Sequence, residues 1–182
     1  MIAIDRWLSR LCLGRVWMSL IFTAYSAVIP WVGEDWGISR AQAGSVQSAW
    51  HLGYLISLFV AGFLADRFGA KVTLLRMSIA SALASILFAC FANGYLSALI
   101  LYGLAGLCSG GTYTPGLKLI YERSPQGSRG AAMGLYLASG SIGYALALLL
   151  AALVIPFAGW RAALILSALA CFPGILWLRQ GL

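Results

Sequence analysis

Six apolar runs, each near the length of a bilayer crossing, dominate this sequence: 15–32, 44–65, 72–91, 95–117, 131–155 and 162–178. A helix rises about 1.5 Å per residue and a hydrocarbon core is about 30 Å thick, so runs of this length predict membrane-spanning helices. Transmembrane strands would instead give alternating segments of about ten residues. The expected fold class is therefore an all-α membrane protein, with residues 1–182 forming one bundle of six transmembrane helices.

Composition excludes the alternatives. With 62% hydrophobic and 9% charged residues, the chain cannot put a polar shell over a water-soluble core, which argues against a soluble enzyme and against disorder. The net charge of +7 would suit a nucleic-acid binder, but the basic residues fall in short clusters between apolar runs, so no nucleic-acid partner is expected. Cys12, Cys90, Cys108 and Cys171 are far apart without CxxC spacing and read as small packing residues; no cofactor and no metal are expected. Asp5, Arg6 and Arg10 precede a first run that is too long for a removable signal peptide, so that run is expected to stay as an anchor.

The basic clusters set a direction. With the N-terminus in the cytoplasm, Arg6, Arg10, Arg15, Arg67, Lys71, Arg76, Lys118, Arg123, Arg129 and Arg179 lie inside, and only Arg40 and Arg161 lie outside. Both termini are then cytoplasmic, the partner is the lipid bilayer, and a cell (inner) membrane is the expected location. Arg15, Arg76 and Lys118 sit near cytoplasmic ends and are expected to snorkel. Trp7, Trp17, Trp31, Trp36 and Trp160 fall near the predicted boundaries and read as interfacial anchors. The longest connection is expected over 118–130, which leaves no room for a soluble domain. Gly106 with Gly110, Gly130 with Gly134, and Gly140 with Gly143 are spaced to let helices approach closely. Pro115–Gly116 and Pro173–Gly174 should bend or open their helices.

Between the second and third runs stands GFLADRFGAKVTLL, an acid and two bases crowded into a tight turn. Its Gly62, Leu64, Asp66, Arg67, Gly69 and Lys71 resemble the signature loop of the major facilitator superfamily. The base usual after the second glycine is replaced here by Ala70. ILYGLAGLCSGGTYTPG is similar to the family's fourth-span pattern, with Gly106 and Gly110 in place but Tyr102 where an Arg is usual. ERSPQGSRGAAMG and PFAGWRAAL also resemble family sequence. The resemblance implies one six-span half of a twelve-span carrier, itself built as a three-plus-three inverted repeat. Gly159 followed by Arg161 echoes Gly69 followed by Lys71 at the equivalent place. It also implies that Asp66 meets a helix end or a basic partner in the second half, making the loop of Gly62, Asp66, Arg67, Gly69 and Lys71 a gate element.

Three faces could line a cavity: Ser19, Thr23 and Ser26 on the first span; Gln47, His51 and Tyr54 on the second; Tyr102, Ser109 and Tyr113, with Gly106, on the fourth. His51, the sole histidine, either binds substrate or a proton, or rests neutral against a neighbouring helix or beside Trp50 at the interface. Any charge reaching the cavity is expected to be positive, which leans toward an anionic or neutral substrate. The expected function is the N-terminal half of a secondary active transporter of a small solute, not an enzyme. It is read as a truncated product, inactive alone; a homodimer and a pair with a separately encoded second six-helix half are the other arrangements. The rival class is a structural or assembly membrane protein without transport.

Overall fold

The computed structural model describes residues 6–181, so Asp5 lies outside the described residues. The helices are α1 (Arg6–Trp36), α2 (Arg40–Phe68), α3 (Ala70–Phe91), α4 (Tyr95–Ser109), α5 (Thr114–Arg123), α6 (Arg129–Leu169) and α7 (Cys171–Gly181). Short 3-10 turns at Gly110–Thr112 and Gln126–Ser128 complete the order. α1 starts well before its apolar run: Leu8, Leu11 and Cys12 bury against the bundle, so packing extends the helix beyond the greasy stretch.

Each boundary has a local cause. α1 stops at Gly37, whose φ of 60° only glycine adopts cheaply. Ser39 then opens α2 with a capping box: its hydroxyl accepts from the Gln42 amide at 3.2 Å, while the Gln42 side chain accepts from the Ser39 amide at 2.9 Å. α4 and α5 form one span interrupted by the 3-10 turn. Pro115, in the first turn of α5, has no amide hydrogen to offer the preceding turn. The Thr112 carbonyl accepts instead from the Tyr136 hydroxyl on α6. The connection from α5 to α6 is accordingly short, residues 124–128, because α5 runs on to Arg123.

The range of α6 holds two helices in succession, and the chain reverses between them. Gly140 and Gly143 abut Arg15, Val16 and Ser19 of α1; the Tyr144 carbonyl meets Thr23; Trp160 meets Asp35. Beyond that point Cys171 faces Trp17 and Met18, and Gly174 faces Gly14. The sequence of partners on α1 climbs and then descends. The turning point is Gly159, with φ 78° and ψ 172°. The fold is thus a six-rod helical bundle; a second break at Ala170 separates α7.

The two most extensive interfaces are α1 with α6 and α2 with α4. They correspond if the first three rods are exchanged for the last three, as an inverted repeat requires. Both depend on missing side chains. A Cβ on Gly53 would strike the backbone of Gly103, one on Gly106 the Trp50 carbonyl, one on Gly110 the backbone of Ser57, and one on Gly143 the Val16 carbonyl. Gly130 and Gly134 instead have open space where a Cβ would stand, contrary to the packing role expected of them. The outer surface is apolar: Phe59, Phe63, Phe91, Leu153 and Phe157 are all well exposed, the arrangement expected of helices that face lipid.

Candidate functional site

One face of the bundle carries polar groups among the apolar rods. Thr23 of α1 donates to the Tyr144 carbonyl of α6 at 3.1 Å, and Ser26 donates to the Gln47 side chain of α2 at 3.1 Å. His51 Nδ1 lies 2.9 Å from the Gln47 carbonyl. The Gln47 side-chain nitrogen lies 3.2 Å from the same ring nitrogen. Ser26 and His51 are exposed, while Thr23, Gln47, Tyr54, Tyr113 and Tyr144 are half-buried. Beneath them lies an aromatic layer: Tyr54 stacks on Trp50 with centroids 5.2 Å apart, and Phe22 stands edge-on to both.

The fourth span divides its expected contribution. Ser109 turns away from this face, and Tyr102 is buried beneath it, beside Trp50 and with its hydroxyl near the Gln47 side chain. Tyr102 is buried between Tyr25 and Phe88, each 4.7 Å away, and Ser109 shares a 2.7 Å hydrogen bond with Ser81 of α3. Only Tyr113 joins the open face, because the break after α4 rotates the chain there. On α1, Ser19 is fully buried and its hydroxyl has no hydrogen-bond partner.

Arg15 is the principal correction to the sequence reading. It does not snorkel. The side chain is 2% exposed, closed in by Phe22, Tyr113 and Tyr136, whose ring centroids lie 5.4 to 5.9 Å from the guanidinium carbon. Tyr54 and Tyr136 lie within electrostatic reach of it. A signal was present in the sequence: Arg15 is one helical turn before Ser19 and continues the face of Ser19, Thr23 and Ser26. Tyr136 and Tyr144 likewise flank Gly140 at helical spacing on α6.

At the end of the bundle that holds Arg67, Lys71 and Arg123, Lys118 carries its ammonium out to an exposed ion pair. Its ammonium bonds Asp66 Oδ1 at 2.5 Å, reaches the Ala65 carbonyl at 3.4 Å, and stands 3.8 Å from Glu122. Asp66 thus has a basic partner within this bundle. Of the other residues in the loop, Gly62 packs near Thr114, Arg67 lies over the Phe68 ring, Gly69 takes a φ of 87°, and Lys71 is half-buried in the first turn of α3.

At the opposite end, Arg161 donates to the Ala89 and Ala92 carbonyls at 2.7 Å each, and to Asn93 at 3.1 Å, closing the end of α3. Trp160 is buried and donates to Asp35 at 2.6 Å, and Trp7 is buried under Arg123, so neither is a free interfacial anchor. Trp17 is exposed at mid-helix beside Pro173 and Trp177. Among the described residues no cluster could hold a metal ion.

An apolar-surfaced helical bundle with one polar face is the build of a membrane-embedded body. Residues 11–181 match the Major Facilitator Superfamily, and the chain belongs to it. Among similar proteins, the gallate transporter of Pseudomonas putida is 33% identical over 83% of this chain and 34% of its own length. NiaP of Bacillus subtilis, named for niacin/nicotinamide transport, is 31% identical over 93% and 42%; the 4-hydroxybenzoate transporter PcaK of Pseudomonas aeruginosa is 30% identical over 87% and 36%. The chain therefore spans about a third to two fifths of the relatives it matches. Two solved structures share the fold. A peptide transporter POT superposes with a TM-score of 0.82 at 17% identity over 95% of this chain and 37% of its own. The proton:xylose symporter XylE gives 0.80 at 14% identity over 96% and 44%.

Proposed function

We propose that this chain is the N-terminal half of a secondary transporter of a small solute, working by alternating access against a second six-helix body. The observation that carries the proposal is the convergence of Ser26, Gln47, His51, Tyr54 and Tyr113 on one face of an otherwise apolar bundle. Polar side chains are costly against lipid and belong against water, solute or another protein body. Alone, the face has no opposite wall, so the chain is inactive until a second body covers it. Relatives named for gallate, niacin/nicotinamide and 4-hydroxybenzoate support a small organic solute as cargo.

The six rods cross a cell membrane with both termini in the cytoplasm. Contacts support this threading. Asp66 meets Lys118 and Trp7 meets Arg123 at one end, while Asp35 meets Trp160 at the other, so the basic clusters gather together and Arg40 and Arg161 lie apart from them. At the cytoplasmic end, Asp66 with Lys118 forms the part of the gate that this half supplies. Its release accompanies passage between the two access states.

The test is uptake into liposomes of a panel of small organic solutes by the chain alone and assembled with a second body. Saturable uptake only in the assembled form, slowed by His51→Ala with insertion unchanged, is expected. No uptake from any assembled species would defeat the proposal.

A further inference from the structure

Resting on the transporter reading above, we infer that Arg15 receives the acidic group of a small organic anion, a carboxylate on a flat apolar body. A guanidinium shut away from water needs partners for its hydrogens. The Tyr54 and Tyr136 hydroxyls stand near the guanidinium, but Arg15 Nε and Nη1 make no hydrogen bond of good geometry, and neither does the Ser19 hydroxyl one turn further along α1. Two of these groups, Arg15 Nε and the Ser19 hydroxyl, gather around one glycine. A Cβ on Gly140 would stand 3.1 Å from Arg15 Nε and 3.5 Å from both Nη2 and Ser19 Oγ, so the absent side chain is what lets these donors share a spot against α6.

Nothing in the described part of the bundle neutralises the charge. The ion pairs formed there join Lys118 to Asp66 and Glu122, and no described carboxylate pairs with Arg15. The rings of Phe22, Tyr113 and Tyr136 face the cation, but at 5.4 to 5.9 Å they return only part of the hydration it has lost. A planar guanidinium with free donors is matched best by a carboxylate.

The surroundings are also chemically defined. Phe22 and Tyr113 flank the guanidinium, Tyr54, Tyr113 and Tyr144 are half-buried, and Phe22 packs against Tyr54 and Tyr144 at 5.3 and 5.6 Å. A ligand whose acid reaches Arg15 would leave its body among these rings, which favours a flat, apolar one.

The experiment measures equilibrium binding of benzoate, of benzamide as its neutral counterpart, and of inorganic sulfate, to the chain in lipid nanodiscs. Benzoate is expected to bind at least about 10-fold more tightly than benzamide, and sulfate more weakly than benzoate, as one charge-assisted bond inside an aromatic enclosure requires. Arg15→Gln should abolish the preference for benzoate and leave benzamide unchanged, Arg15→Lys should keep part of it, and Ser19→Ala should reduce it. If Arg15→Gln does not insert, Gly140→Ala, which crowds the same nitrogens, should weaken benzoate selectively. Equal binding of benzoate and benzamide, or a preference that survives both Arg15→Gln and Gly140→Ala, overturns the inference. Sulfate binding as well as benzoate overturns the organic body. Exclusion of benzoate once a second six-helix body is present overturns it in favour of a carboxylate from that body. Uptake assays separate the two readings: benzamide carried as well as benzoate defeats the anion site alone, whereas benzoate binding without uptake by any assembled form defeats transport alone.

Discussion

Gly69 and Gly159 hold the same unusual backbone, with φ 87° and ψ 144° at the first and φ 78° and ψ 172° at the second. Each ends one rod and begins the next, before the third and the sixth, so they are equivalent positions of the inverted repeat. A side chain is strained there even though open space surrounds both residues. Gly69→Ala and Gly159→Ala should each cost about 1–3 kcal/mol, measured as a lowered thermal midpoint in detergent. A change of sign in either variant would refute the equivalence.

The α2–α4 interface predicts a contrast between glycines. Gly106→Ala forces a methyl into the Trp50 carbonyl and should destabilise by roughly 1–3 kcal/mol through overpacking. Gly134→Ala meets nothing and should be neutral or stabilising by up to about 1 kcal/mol, since alanine is the better helix former. Parallel unfolding curves of the two variants decide this.

Arg161 holds three acceptors at the end of α3. Arg161→Met leaves those carbonyls unpaired and should cost about 1.5–3 kcal/mol. Faster hydrogen exchange confined to the last turn of α3 is the expected signature. Exchange spread evenly over the bundle would contradict it.

Lys118 and Asp66 are joined closely, but the Asp66 side chain is 74% exposed. A double-mutant cycle of Lys118→Met and Asp66→Asn should give only a weak coupling, weakened further by salt. If the pair belongs to a gate, the same variants should change the rate of interconversion between access states far more than the thermal midpoint.

Thiols placed singly at Arg123 and at Arg40 should react from opposite sides of a sealed membrane. Labelling from the same side would overturn the threading and the transport reading with it.

The long apolar helices were legible in the sequence because they follow from length and hydropathy, which are local properties. The Gly62–Leu75 motif was legible too, since turn glycines and charges act where they stand. The site was legible only in part. Ser26, Gln47 and His51 meet as their spacing on two adjacent helices suggests, but on a face of equal regularity Ser109 turns into α3 and Tyr102 is buried among Tyr25, Trp50 and Phe88. Periodicity assigns residues to a face; it does not say which neighbour that face meets.

Arg15 shows where the division falls. By itself the sequence determined an all-helical membrane chain and its family, because apolar runs, loop charges and a short motif are read along the backbone. Whether an arginine near the end of an apolar run reaches out to water or turns inward was decided by tertiary structure alone. Gly140 on a helix more than a hundred residues away supplies the room, and Phe22, Tyr113 and Tyr136 close around the charge. Burial is a property of what packs against a side chain, and those partners come from distant parts of the chain.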